Sequence, residues 1–100
     1  MTELEREFAL ACETTIAECR SLGYTPSIWM QMIQKHGAVD TARRLVVSGD
    51  LQDGFRRLLS MGRADLTVES SVLDERWYDL FTDQEREVAR WRLEAAQKER

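Results

Sequence analysis

Leu22-Gly23-Tyr24-Thr25-Pro26-Ser27-Ile28-Trp29-Met30-Gln31-Met32-Ile33-Gln34-Lys35-His36-Gly37-Ala38-Val39 is the stretch from which the fold class follows. Gly23 suits the left-handed position that ends a helix. Thr25-Pro26 then reads as an N-cap followed by proline in the first turn, where a missing N–H costs nothing. A helix from Pro26 to about His36 is expected, closed by Gly37, with another beginning at once. Ile28, Trp29, Met30, Met32 and Ile33 make this helix apolar over more than half its circumference, which predicts the central, most buried element. Trp29, Met32 and Ile33 share one face.

The same punctuation organises the flanks. Thr2 and Glu5 form a capping-box pattern, after which Leu4, Phe8, Cys12, Ile16, Cys19 and Leu22 recur at helical spacing up to Gly23. Downstream, Ala38 to about Val47 turns Val39, Ala42, Leu45 and Val46 inward, and Asp40 can reach Arg43 or Arg44. Gly49 closes that helix. Another runs from about Asp53 to Met61, burying Phe55, Leu58, Leu59 and Met61, and Gly62 stops it. Leu66 to Leu73 is ambiguous: its alternation suits a strand, but Thr67 is a good N-cap and a lone strand is unstable. A short helix from Val68 to Leu73 is the preferred reading, then one from Glu75 to Leu80. Thr82 and Glu85 repeat the capping box and open a helix from Asp83 to Lys98. The expected fold is all-α, a compact irregular bundle of about six or seven short helices, with residues 1–100 as one domain.

Composition narrows the functional classes. A chain that is 43% hydrophobic and 32% charged is globular. No apolar run approaches the ~20 residues that span a bilayer, and the acidic start Met-Thr-Glu-Leu-Glu differs from a basic signal peptide. Cytoplasmic location without membrane association is the expectation. Cys12 and Cys19, seven residues apart on one helix, would have Cα atoms ~10 Å apart, too far for a disulfide. They read as small buried hydrophobes in a reduced compartment.

Little in the chain suggests catalysis. The single histidine, His36, falls in the last turn of its helix and reads as a capping and packing residue. A Cys19–His36 nucleophilic pair conflicts with Cys19's place on a buried stripe, and Cys12, Cys19 and His36 lack zinc-ligand spacing. Nucleotide-binding, zinc-protease and hydrolase signatures are absent. No catalytic residue, cofactor or metal site is expected. The Pro26–Val47 segment compares with a helix-turn-helix, but Asp40 occupies the first turn where base-reading residues should lie.

Charge is distributed unevenly. Residues 1–20 carry two basic against five acidic residues, and residues 65–100 six against ten. Residues 21–64 reverse this, with Lys35, Arg43, Arg44, Arg56, Arg57 and Arg63 against three acids. These six are the candidate partner-binding residues, suited to phosphate or to an acidic protein. On helix 83–98, Val88, Trp91 and Ala95 form an apolar stripe apart from Ala89, Leu93 and Ala96, so one stripe is free to face a partner.

From Leu22 to about Leu93 the chain resembles an uncharacterised family of small bacterial helical domains. The resemblance rests on Gly23-Tyr24-Thr25-Pro26, His36-Gly37-Ala38-Val39, Ala42-Arg43-Arg44-Leu45, Asp53-Gly54-Phe55, Gly62 through Glu69, and Leu80-Phe81-Thr82. Such domains occur alone or beside nuclease-like and restriction-like domains. The resemblance implies an accessory role in bacterial nucleic-acid or defence systems and carries over no functional residue. The expected function is a non-catalytic protein-binding or adaptor module, in a defence system or a phage-type inhibitor of one. Nucleic-acid binding through the central arginines is the alternative.

Overall fold

The computed structural model describes residues 2–47 and 52–98, which form six α-helices, two 3-10 helices and no strand. The α-helices are α1 (Glu3–Ser21), α2 (Ser27–His36), α3 (Ala38–Val47), α4 (Gln52–Ser60), α5 (Val68–Leu73) and α6 (Asp83–Lys98). The 3-10 helices are Ala64–Leu66 and Glu75–Leu80. The chain is an all-α bundle, and three of its breaks fall at glycines. Gly23, Gly37 and Gly62 all have positive φ, at 88°, 84° and 73°, a region that costs a Cβ-bearing residue energy. The expected stop at Gly49 lies outside the described residues.

Both capping boxes form. Thr2 Oγ1 accepts from the Glu5 amide at 3.1 Å while Glu5 Oε1 accepts from Thr2 N at 3.1 Å. Thr82 and Glu85 do the same at 3.1 and 2.8 Å. The ambiguous stretch resolves as helix because Thr67 caps it: its hydroxyl accepts from Ser70 N at 3.1 Å and donates to Ala64 O at 2.8 Å. The segment Glu75–Leu80, read as a helix, adopts the tighter 3-10 form.

Two expectations are corrected. Thr25 does not cap α2; the cap residue is Pro26, with ψ 72° and no side-chain hydrogen bond, and the helix begins one residue later, at Ser27. Burial of Pro26 fixes the chain's entry instead. Nor is α2 the central helix. Trp29 is its one buried residue, and Ile28 is 55% exposed. The centre is α3, which buries Ala38, Thr41, Ala42, Leu45 and Val46 and packs on α1, α2, α5 and α6. Its small residues allow that many neighbours to approach, whereas α2 packs chiefly on α3.

The main core joins Phe8 and Cys12 of α1 to the α3 residues, Val72, Trp77, Leu80, Phe81 and Ala89. Phe8 meets Trp77 and Phe81 edge-on, with both centroid distances 5.4 Å. A second cluster unites Cys19, Leu58 and Leu66, with Tyr24 packed against it. On α6, Ala89 is fully buried and Val88 packs on the core, while Trp91 is 69% exposed. The described helices include none long and apolar enough to cross a membrane.

Cys12 and Cys19 are buried and free. Burial pushes the Cys12 thiol up to about 12 and also raises Cys19, so little thiolate forms near neutrality. Both should label slowly with a thiol reagent in the folded protein and quickly in denaturant. Fast native labelling of either would contradict the placement of α1.

Candidate binding site

The described residues surround a cavity of about 380 Å³ between the α1–α2 connection, α4 and the start of α5. Such a volume falls in the range of small-ligand and side-chain pockets. One wall runs from Tyr24 to Trp29; Gly54, Phe55, Arg57 and Leu58 supply the second, and Leu66 to Glu69 the third, with Leu45 at the base. Three of the stretches quoted above, around Tyr24, Gly54 and Leu66, therefore meet here although they are far apart in sequence.

Local chemistry sets each wall. Tyr24 leans on α4, where a Cβ at Gly54 would lie 2.6 Å from its hydroxyl oxygen. Glycine at this position lets the ring sit against the helix. The Arg57 guanidinium lies over that ring, 5.3 Å from its centroid, a cation–π geometry. Burial raises the Tyr24 hydroxyl above its ordinary pKa, with Cys19 adding to the rise and Arg57 opposing it. The phenol is neutral under ordinary conditions. At the other end of the same wall, Trp29 is 8% exposed, and its buried indole N–H has no acceptor among the described residues. Such an orphan donor costs about 1–3 kcal/mol.

Glu69, also on the cavity wall, is 5% exposed. Arg92 from α6 donates to Glu69 Oε2 at 3.0 Å and to Leu45 O at 2.9 Å. One guanidinium thus ties α5, α6 and the last turn of α3 together and balances the buried carboxylate.

The six candidate arginine and lysine positions answer to different neighbours. Arg43 donates to Leu80 O at 2.6 Å and lies 3.8 Å from Glu85. Arg44 binds Asp40 at 2.9 Å, which lowers that carboxyl's pKa. Arg63 binds Asp65 at 3.1 Å and Glu18 at 3.2 Å, holding the Asp65 carboxyl below its usual range and raising its own value. Lys35 and Arg56 are exposed on α2 and α4. Only Arg57 lines the cavity. Helices α3 and α4 are not major packing partners: α4 rests on the Ala64–Leu66 turn. His36 is partly buried, its Nδ1 3.9 Å from Asp40, and it does not line the cavity. Among the described residues no group of three or more His, Cys, Asp or Glu side chains could hold a metal ion.

Sequence reasoning missed Tyr24, Trp29, Gly54 and Glu69 as site residues. Gly54 was the available signal, being the one glycine without a helix-stopping role and sitting inside a helix where it costs about 1 kcal/mol. Comparison with protein-family models, curated proteins and solved structures found no match to this chain.

Proposed function

We propose that this domain is a non-catalytic binding module that docks a protein partner, with an apolar group of the partner entering the Tyr24–Trp29 cavity. The observation that carries the reading is a cavity of about 380 Å³ walled largely by apolar side chains, with the Arg57 guanidinium at its edge. A few placed polar groups in an apolar concavity are the usual form of a recognition site. A non-catalytic role is supported by the chemistry nearby: both thiols are buried and disfavoured as thiolates, and His36 lies elsewhere. A protein partner is favoured over nucleic acid because Arg43, Arg44 and Arg63 already engage protein oxygens. An accessory role in a bacterial defence system, as the family resemblance implies, is compatible with this reading.

The test uses N-phenyl-1-naphthylamine, a neutral apolar fluorophore. It should bind at one saturable site in the wild type. Thr25→Trp, which adds bulk at an exposed rim position, should weaken binding at least tenfold while the circular dichroism spectrum stays unchanged. Absence of saturable binding, or binding indifferent to Thr25→Trp, would refute the cavity reading.

A further inference from the structure

Taking the cavity reading as its basis, we infer that the occupant is an acidic–hydrophobic segment of a partner polypeptide: an aromatic or aliphatic side chain fills the cavity and an adjacent carboxylate meets Arg57.

The polarity of the site selects this chemistry. The charged group at the cavity without a carboxylate of its own is a donor, the exposed Arg57 guanidinium. Arg57 makes no ion pair among the described residues, unlike Arg43, Arg44, Arg63, Arg76, Arg86, Arg90 and Arg92. Its charge is positioned rather than neutralised, since the Tyr24 ring beneath it is itself braced against Gly54. The complement to such a group is an acceptor with negative charge, and guanidinium matches carboxylate in shape. Glu69, the acidic residue of the wall, does not oppose an anion, because Arg92 already balances it.

The apolar surface argues for a chain rather than a small acid. It continues out of the cavity onto Ile28, which lines the mouth and is 55% exposed. A molecule confined to the cavity leaves that side chain wet, whereas a polypeptide passing through covers it. Burying it adds binding free energy in proportion to the area removed from water.

The experiment displaces N-phenyl-1-naphthylamine from the folded 100-residue chain with two blocked peptides, acetyl-Ser-Leu-Phe-Asp-Gly-amide and its Asn counterpart, and with phenylacetate. The Asp peptide should displace the dye at about five- to tenfold lower concentration than the Asn peptide, the range of a partly exposed charge-assisted contact. Arg57→Gln should erase that difference, the two peptides being compared on the same variant so that any change in dye affinity cancels. Phenylacetate should be at least tenfold weaker than the Asp peptide. Equal displacement by both peptides, a preference that survives Arg57→Gln, or phenylacetate as effective as the peptide would each overturn the inference while dye binding still upholds the cavity. Loss of dye binding to the wild type would instead remove the reading on which it rests.

Discussion

Phe8→Ala is expected to lower the unfolding free energy by about 3–5 kcal/mol, the cost of deleting a buried aromatic ring. Phe8 is 1% exposed and holds two edge-on partners, Trp77 and Phe81, in the Glu75–Leu80 segment and just after it. That segment is 3-10, with poorer hydrogen-bond geometry than an α-helix, so the aromatic cluster contributes much of what fixes it on α1. At roughly 4–8 °C per kcal/mol for a domain of this size, the melting temperature should fall by tens of degrees. Leu10→Ala on the same helix, where the side chain is 62% exposed, should change it by no more than a few degrees. Thermal melts by circular dichroism separate the two. Similar losses at Phe8 and Leu10 would mean that α1 is rotated about its axis.

Helix boundaries were legible because they are local chemistry. A glycine with left-handed φ stops a helix wherever it falls, and a Thr-x-x-Glu box opens one, independent of the rest of the chain. Which helix is central was not legible, since α2 carries the larger apolar side chains and still leaves Ile28 exposed. Centrality depends on how many neighbours can approach, and Ala38, Thr41 and Ala42 give α3 that access. Side-chain size, more than hydrophobicity, decides the matter. The cavity was illegible for a related reason: its walls come from three separated stretches, and empty space has no sequence pattern. The basic residues were legible as a set, and their partners only where these are local. Asp40 pairs with Arg44 at helical spacing, as its sequence position allows. Arg63 finds Glu18 across 45 positions, a contact that only tertiary packing creates.

Arg92→Leu is expected to cost about 3–5 kcal/mol at pH 7, because it strands a carboxylate that has been removed from water. Glu69 is 7% exposed at its side chain, and Arg92 18%, so water screens the pair weakly. Deleting the cation also leaves Leu45 O, in the last turn of α3, without the donor that Arg92 brings to it. A second substitution identifies the cause. Adding Glu69→Gln to Arg92→Leu should recover more than half of the loss, because a neutral amide carries no stranded charge. Urea melts of the two variants at pH 7 provide the measurement. Because Glu69 also lines the cavity, the same cycle tests the site: Arg92→Leu should weaken N-phenyl-1-naphthylamine binding at pH 7 beyond the effect of the double variant. A double variant no more stable than Arg92→Leu alone would show that Arg92 acts through packing and the Leu45 carbonyl rather than by balancing Glu69.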